Sequence, residues 1–349
     1  MGNTENKNRI EYLDLLRIVA AFCVIVVHVY AYSQGPNGLT VGSKQWIEGN
    51  VWPDAVRWTL DVFILISGAV FLRRDFEIKT IYTKYIKRIL VAYIIWGALY
   101  ALIVDRVTSV KDFVRAVVLG HAHMWYCPMI IGLYMITPLL RKWVKDIKLT
   151  EYFLIISFIA VSVLPSINGV ISAMDNPKTN YFAELMNGFW ADMNLNFLLG
   201  YVFFYVLGYY LSEKEFSNIQ RKVLYILGIL GAVVESAGTI IWSTVKGESV
   251  NAFMGNFSMC SVLSAIAIFV FAKYNFKTNK IINKIAGLTF GIYMVHMGTI
   301  ELLVKYFDIT VYRINALIYI PLVAVLILAV STLVSFIISF IPVLKKYMI

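Results

Sequence analysis

Long apolar stretches alternate with short clusters of charged residues along almost the whole chain. A helix needs about 20 predominantly apolar residues to cross the hydrocarbon core of a bilayer. On that criterion the pattern predicts ten membrane-spanning helices, near residues 10–32, 54–72, 86–104, 124–140, 152–172, 190–211, 223–245, 252–272, 282–304 and 314–342. The predicted fold is therefore all-α: a polytopic bundle of about ten transmembrane helices, forming a single domain over residues 1–349 with no additional soluble domain.

The first and last of these spans have unusual features. The last is long and uncharged, so its helix has to tilt or bend, and Pro321 is the candidate position for a bend. The first resembles a signal peptide in its position near the N-terminus. Glu11, Asp14 and Arg17 argue against that interpretation, because the apolar region of a signal peptide does not contain such charges.

Basic residues are distributed unequally between the two sets of connections. Apart from Arg17, which lies within the first span, one set carries 21 Lys and Arg residues and the other carries 9. The richer set consists of Lys7, Arg9, the clusters at 73–88, 141–148 and 273–284, Lys214, Arg221, Lys222, Lys345 and Lys346. Cytoplasmic connections are the ones enriched in Lys and Arg. Because an even number of spans leaves both ends on one side, both termini are predicted to be cytoplasmic.

Composition and charge narrow the class of protein further. Hydrophobic residues make up 60% of the chain and charged residues 15%, whereas soluble domains contain about 45–50% apolar residues, so a soluble globule is excluded. The net charge of +10 is explained by topology and by anionic lipid, and no nucleic-acid partner is expected. Cys23, Cys127 and Cys260 have no paired spacing, which predicts buried packing and no disulfide framework.

The first span carries an ionisable stripe formed by Asp14, Arg17 and His28. At about 100° per residue these three positions fall within a sector of about 60°, so their side chains share one helix face. Arg17 and His28 are separated by about 16 Å along the helix axis, which places them in opposite halves of the membrane. Ionisable groups inside a membrane are functional candidates. The alternative is a helix-end ion pair together with an interfacial histidine.

Two further histidines are predicted at a depth similar to that of His28. His123 begins the fourth span, and His296 lies in the outer half of the ninth. Three histidines would suffice for a zinc site, but short ligand spacing and a nearby paired carboxylate are both missing from the sequence, so no metal is expected. Acid–base or hydrogen-bonding roles are favoured instead.

The second span and the connection after it contain other polar candidates. Asp61 needs a polar partner inside the membrane, whereas Ser67 and Gly68 are also explained by close packing of helices. Lys84, Lys87 and Arg88 share one helix face and belong to a cluster that also contains Arg73, Arg74 and Lys79. The cluster is either a topology signal or a binding site for a polyphosphate group.

Together these motifs resemble the acyltransferase-3 family of integral-membrane O-acyltransferases. The most specific motif is an arginine followed, after ten intervening residues, by a histidine in the first span, here Arg17 and His28. The other matching elements are an FFxxSG-like turn at 63–68, the basic entry at 84–88, the His123-Met124-Trp125 sequence and the stretch 293–296. The run 123–141 is most similar to the subgroup that contains the enterobacterial common antigen O-acetyltransferase.

The resemblance implies a donor, an acceptor and a location. The donor would be acetyl-coenzyme A or another acyl-coenzyme A, and the acceptor a hydroxyl of a cell-surface polysaccharide, lipid-linked glycan or related envelope component. The enzyme would be a multi-pass protein of the bacterial inner membrane. Arg17 and His28 would be essential to catalysis. The sequence departs from the family at Lys84 and Lys87, where arginine is frequent, and at Ala92, where proline is common.

A mechanism can be sketched on these residues. The coenzyme A phosphates are expected at a set of basic residues consisting of Arg73, Lys84, Lys87 and Arg88. The pantetheine arm would pass Arg17, which Asp14 orients, and reach His28. His28 would act either as general base or as transient acyl carrier, and the sequence does not choose between them.

The acceptor and the developing negative charge are expected at the outer half of this site. His123, Ser67 or His296 would stabilise the oxyanion. The residues expected to contact the acceptor are Asp61, Trp125, Tyr126, Tyr293 and His296. The three aromatic residues would stack on sugar rings, although an aromatic belt at the membrane interface also explains them.

Two other classes of function stay open. A transporter or flippase would use the buried ionisable residues Asp14, Arg17, Asp61 and Glu235 along its pathway, although the sequence has no repeated halves. A non-catalytic membrane sensor is the third class. Glu235, near the middle of the seventh span, is predicted to pair with a polar group or to face a cavity.

Overall fold

The computed structural model describes residues 10–33, 38–174, 176–193, 195–307 and 315–349, and over these ranges it is helical without a strand. The helices are α1 (Glu11–Ser33), α2 (Lys44–Ala55), α3 (Thr59–Phe71), α4 (Ile78–Val104), α5 (Val110–Leu119), α6 (Ala122–Trp143), α7 (Ile147–Ala173), α8 (Pro177–Asp192), α9 (Asn196–Glu213), α10 (Asn218–Lys246), α11 (Met259–Asn275), α12 (Lys280–Ala286), α13 (Thr289–Phe307), α14 (Ala316–Ser339) and α15 (Pro342–Met348).

Six helices of the described ranges are long and apolar enough to cross a membrane, namely α1, α4, α6, α7, α10 and α14. Helices α12 and α13 meet at an angle of 58°. If this bent pair is counted as one span, the number rises to seven. The predicted spans near 54–72, 190–211 and 252–272 correspond to α3, α9 and α11, which are not among the six. The chain is therefore a multi-pass helical membrane protein, whereas ten spans and the side of the termini stay predictions.

Several elements differ from the sequence-based expectation. The short helices α5 and α8 were not predicted, and each begins at a side-chain cap, Ser109 for α5 and Asn176 for α8. Helix α4 begins at Ile78, before the predicted boundary at 86, and π-helical turns flank its α-helical segment Lys87–Leu99. Ala92 lies within that regular segment.

Pro321 does not interrupt the last long helix. Proline cannot donate to the carbonyl four residues earlier, which is that of Leu317. The indole Nε1 of Trp52 donates to Leu317 O at 2.9 Å, so this carbonyl is satisfied by another helix. The long apolar run instead ends at 340–341, and the short helix α15 follows.

Helix α1 belongs to both hydrophobic cores of the molecule. Leu13, Leu16 and Ala20 are buried in the first core, which α3, α6, α9 and α11 complete. Residues one turn or more further along, such as Ile25 and Val29, are buried in the second core with parts of α4, α13 and α14. The space beside α1 between these groups of helices contains the candidate site described below.

Small residues allow α3 and α9 to pack backbone against backbone. A Cβ atom at Gly68 would collide with the backbone carbonyl of Tyr205, and a Cβ atom at Gly208 would collide with that of Leu65. Close packing is therefore the explanation for Gly68. Both glycines hold α3 near α9, and α3 carries the neighbouring Ser67.

Polar contacts join several of the basic connections to one another. Arg141 pairs with Asp75 at 3.3 Å, and Lys273 Nζ donates to the backbone oxygen of Lys214 at 2.8 Å. The connection after α3 therefore contacts the C-terminal end of α6, and the connection after α9 contacts the C-terminal end of α11. The three cysteines are free and buried, which confirms their predicted packing role.

Candidate functional site

A cavity of about 590 Å³ runs along one face of α1. Arg17, Val24, Val27 and His28 are the α1 residues that line it. Two of the three residues of the predicted stripe, Arg17 and His28, thus border the cavity, whereas Asp14 does not. Because Arg17 and His28 are about 16 Å apart along the helix, the cavity extends through a substantial part of the membrane thickness.

The two ends of the cavity differ in the side chains that surround them. Among the lining residues, Tyr134 lies within electrostatic range of Arg17, Tyr85 and Arg88, whereas Arg57 and His123 lie within that range of His28. Most of the remaining lining is apolar or aromatic. The cavity therefore presents cations at one end and imidazole groups together with a cation at the other, with an apolar passage between them.

Asp14 supports Arg17 from outside the cavity lining. The two side chains form an ion pair with Arg17 Nη1 and Asp14 Oδ1 3.2 Å apart, and Asp14 is buried. Neighbours three residues apart on a helix meet in this way. The expected ion pair is present, and it coexists with the exposure of Arg17 to the cavity.

His28 forms a direct pair with His296 of α13. His28 Nδ1 and His296 Nε2 are 2.9 Å apart, and the two ring planes are within 14° of parallel with 5.1 Å between their centroids, so the rings meet nitrogen to nitrogen. His296 Nδ1 lies 2.6 Å from the backbone oxygen of Tyr293. His296 is 1% exposed and does not line the cavity, so it lies behind His28.

The other two histidines form a second pair next to the first. His123 Nδ1 and His121 Nδ1 are 3.1 Å apart, and His121 Nε2 lies 3.0 Å from Glu301 Oε1. The ring of His123 packs edge-on against that of His296, with 5.2 Å between centroids. All four histidines of the chain thus belong to one cluster. Within the described residues, no group of three or more His, Cys, Asp or Glu side chains could hold a metal ion.

Two polar residues of α3 have different surroundings. Ser67 lines the cavity, and its Oγ donates to the backbone oxygen of Phe63 at 2.9 Å. Asp61 is fully buried and accepts a hydrogen bond from Ser261 Oγ of α11 at 2.9 Å. Asp61 has therefore found the polar partner that it needed, but the structure does not bring it to the cavity.

The aromatic residues expected to contact the acceptor all line the cavity, namely Trp125, Tyr126 and Tyr293. Trp125 is 40% exposed and packs against the ring of Tyr201. The hydroxyl of Tyr293 donates to the backbone oxygen of His123. This contact ties α13 to the start of α6 beside the histidine cluster.

One of the four predicted donor-binding residues lines the cavity. Arg88 does so, and its guanidinium also donates to the backbone oxygen of Ile349. Arg73 pairs with Glu213 at 3.5 Å, and Lys84 lies over the ring of Tyr85. Lys87 is exposed, and neither it nor these two residues is part of the cavity wall.

Nearly the whole chain matches the model of one protein family. A family model described as "Acyltransferase domain" matches residues 10–340, nearly the whole chain. The chain belongs to the acyltransferase-3 family. Comparisons with curated proteins and with solved structures give no match. Family membership and the apolar helices make the protein a membrane acyltransferase, and the similarity to a particular subgroup stays a prediction.

Arg57 is a cavity residue of this acyltransferase that the sequence analysis did not select. It lies in the turn between α2 and α3 and pairs with the buried Asp54, with Arg57 Nη2 and Asp54 Oδ1 3.7 Å apart. A lone arginine inside a predicted span was a usable signal, by the same rule that selected Arg17. His121 and Glu301 had no such signal, because only the folded chain brings them beside His123.

Glu235 of the acyltransferase lies inside the helix bundle. It is 1% exposed, in a segment of α10 that packs against α11 and α2. Glu235 is therefore not exposed to lipid, but it does not line the cavity, and the predicted polar partner stays a prediction. The Glu235 carboxyl oxygen Oε1 is buried without a hydrogen-bond partner.

Proposed function

We propose that this acyltransferase moves an acetyl group from acetyl-coenzyme A to a hydroxyl group of an envelope glycan, either a surface polysaccharide or a lipid-linked sugar. The cytoplasmic membrane is the proposed location, since acyl-coenzyme A is a cytoplasmic metabolite. The observation that carries the proposal is the single cavity that contains Arg17 and Arg88 near one end and His28 near the other.

The donor would enter at the end of the cavity that holds Arg88. Guanidinium groups form strong charge-assisted hydrogen bonds with phosphates, so Arg88 and Arg17 suit the phosphates and the adjoining part of coenzyme A. Lys84, Lys87 and Arg73 would contribute attraction from the rim. The pantetheine arm would then follow the apolar passage, and the length of about 16 Å between Arg17 and His28 is comparable to that of the arm.

At the other end of the cavity, the acetyl group would be transferred from the sulfur of coenzyme A to the oxygen of the acceptor. His28 takes the proton of the acceptor hydroxyl as general base, and the oxygen attacks the carbonyl carbon of the thioester. The carbon–sulfur bond then breaks, and the proton passes from His28 to the departing thiolate, which leaves as free coenzyme A. Exclusion of water by the apolar walls protects the thioester from hydrolysis.

Groups around His28 fit the other requirements of this reaction. Ser67 and His123 border the cavity and are proposed to stabilise the oxyanion of the tetrahedral intermediate. Trp125, Tyr126 and Tyr293 offer aromatic faces on which a sugar ring can stack. An acceptor with several hydroxyl groups and flat apolar faces suits such a wall.

Membrane vesicles that contain the protein and receive radiolabelled acetyl-coenzyme A test this function. An acyltransferase releases free coenzyme A in proportion to the label that enters a glycan, and vesicles with a His28→Asn variant serve as the matched control. A transporter or flippase would move label or glycan across the membrane without releasing coenzyme A, and that result would refute the proposal.

A further inference from the structure

We infer that His296 is a positioning residue that holds His28 in the tautomer with its proton on Nδ1, which leaves the Nε2 lone pair free to act as the base. This inference rests on the proposed function, in which His28 is the base. The inference explains how His28, in an apolar environment, is kept in the tautomer that can accept a proton. The two ring nitrogens of a histidine are distinct, and the hydrogen bond of one decides the state of the other.

The argument begins at the backbone oxygen of Tyr293. A carbonyl oxygen only accepts hydrogen bonds, so His296 Nδ1, which lies 2.6 Å away, must carry a proton. A neutral imidazole has one proton on its two nitrogens. His296 Nε2 is therefore an acceptor, and its position in the structure is fixed by a bond within its own helix.

The next step concerns His28. Its Nδ1 lies 2.9 Å from His296 Nε2, and an acceptor at that distance requires a proton on Nδ1 of His28. In the neutral ring the other nitrogen of His28, Nε2, then has a free lone pair. His28 is half-buried and lines the cavity, whereas His296 is buried behind it. The ring that faces the substrate space is thus the one with the free lone pair.

The reverse arrangement would require a positive charge on His296. In that case both nitrogens of His296 would donate, and His28 would accept at Nδ1 and carry its proton on Nε2. The rings that contact the His296 ring are two other imidazoles, His28 and His123, and the phenol of Tyr293, none of which is an anion at neutral pH. A charge buried in such surroundings without an anionic partner is costly, so the neutral arrangement is the resting state.

The pair also matches the needs of the reaction. When His28 Nε2 takes the proton of the acceptor hydroxyl, the ring becomes positively charged. Its Nδ1–H then donates a charge-assisted hydrogen bond to His296 Nε2, which strengthens as the charge develops. The proton on Nε2 is later transferred to the thiolate sulfur of coenzyme A, and the pair returns to its resting state.

Nitrogen NMR of histidine-labelled protein in nanodiscs tests the tautomer directly. The chain contains only four histidines, so ¹⁵N-histidine labelling gives four pairs of ring signals, and the pair that disappears in His28→Asn belongs to His28. The expected result is a protonated Nδ1 and an unprotonated Nε2 for His28 in the resting protein. A protonated Nε2 on His28 would overturn the inference, whatever the activity of any variant.

Two substitutions at His296 test whether the pairing matters for turnover. His296→Leu removes the acceptor, and we expect kcat to fall by about 10²-fold or more while KM for acetyl-coenzyme A is unchanged, because the wrong tautomer cannot act as base. His296→Gln keeps an oxygen that can accept from His28 Nδ1, so it should restore both the tautomer and most of kcat. Thr299→Val, one turn further along α13, is the matched control and should change neither.

The outcomes separate this inference from the proposed function. If His28 has the expected tautomer but His28→Asn keeps full transfer activity, the base is another residue and the proposed function of His28 fails. If His28→Asn is inactive and His296→Leu keeps both the tautomer and kcat, the role of His296 is refuted while that of His28 stands.

Discussion

His28 is the residue on which the proposed chemistry depends, and His28→Asn is its sharpest test. Asparagine keeps much of the size and some hydrogen bonding of histidine but cannot take up a proton. We expect transfer to fall by about 10²–10⁴-fold, as is usual when an acid–base group is lost. The measurement is coenzyme A release per folded molecule, with folding checked by size-exclusion chromatography.

A structural histidine would behave differently. Its loss would lower expression or thermal stability, and activity per folded molecule would survive. If well-folded His28→Asn kept transfer within about tenfold of the wild type, the role of base would move to His123, which also lines the cavity.

The donor-binding residues allow a second test, because the structure separates Arg88 from Lys84. Arg88→Ala should raise KM for acetyl-coenzyme A by about 10- to 100-fold, since a hydrogen bond to a charged group contributes about 1.5–3 kcal/mol. Lys84→Ala, one turn earlier in α4, is the matched control and should have a much smaller effect because Lys84 does not line the cavity.

The double variant Lys84→Ala, Arg88→Ala should resemble Arg88→Ala in KM and should change kcat less than KM. Steady-state kinetics with acetyl-coenzyme A as the varied substrate gives both constants. Equal effects of the two single substitutions would show that the cluster acts only through its general positive charge.

At the scale of single residues, the sequence predicts what depends on local periodicity. Arg17 and His28 share a face because both lie on one uninterrupted helix, and that relation needs no knowledge of the rest of the fold. The pairing of His28 with His296 joins residues 268 positions apart. Periodicity within one helix contains no information on such a contact, so nothing in the sequence indicated that His296 lies behind His28 and outside the cavity wall.

At the scale of helices, the close contact between α3 and α9 can be tested by enlarging a glycine at the contact. Gly68→Ala should destabilise the protein by about 1–3 kcal/mol, the usual cost of overpacking, because the new methyl group would meet the backbone of Tyr205. Thermal unfolding in detergent measures the change. Activity should fall as well, since Ser67 and the cavity wall move with α3.

Gly132→Ala in α6 is the matched control for this substitution. A Cβ atom at Gly132 would meet nothing within 4 Å. The same chemical change should therefore be neutral or should stabilise the helix by about 0.5–1 kcal/mol. If both variants were equally stable, the close contact between α3 and α9 would not be important for stability.

Helix boundaries show where sequence reasoning is weakest at this scale. The long apolar helices were recognised because each contains about 20 predominantly apolar residues in a row, a signal that a few polar residues do not obscure. The short helices α5 and α8 lack that signal and depend on caps at Ser109 and Asn176. The bend expected at Pro321 stays a prediction, and no sequence pattern indicated that Trp52, from a distant helix, satisfies the carbonyl that proline leaves free.

For the molecule as a whole, the distribution of basic residues predicts which end faces the cytoplasm. Ser249 follows α10 and Lys277 follows α11, so the two exposed positions mark opposite ends of α11. A cysteine at position 249 should react with a membrane-impermeant maleimide in intact cells, whereas a cysteine at position 277 should react only after permeabilisation. The three native cysteines are buried, which keeps the background low.

Labelling at 277 in intact cells, with none at 249, would invert the topology and would put Arg88 on the wrong side for a cytoplasmic donor. The class of the fold and its orientation could be proposed from hydropathy and charge alone. The number of spans stays a prediction, because α3, α9 and α11 are shorter than a bilayer-crossing helix of about 20 residues and are not among the helices that are long and apolar enough to cross.

The membership of α1 in both cores has a consequence for biosynthesis. His28 is translated 268 residues before His296, which at about 5–20 residues per second is an interval of roughly 15–50 s. During that time α1 is in the membrane with its charged face but without α13 and α14 to cover it. The pair of Asp14 and Arg17 neutralises this face from within the helix itself. A nascent chain can therefore insert α1 early, and it acquires a complete site only when its last helices arrive.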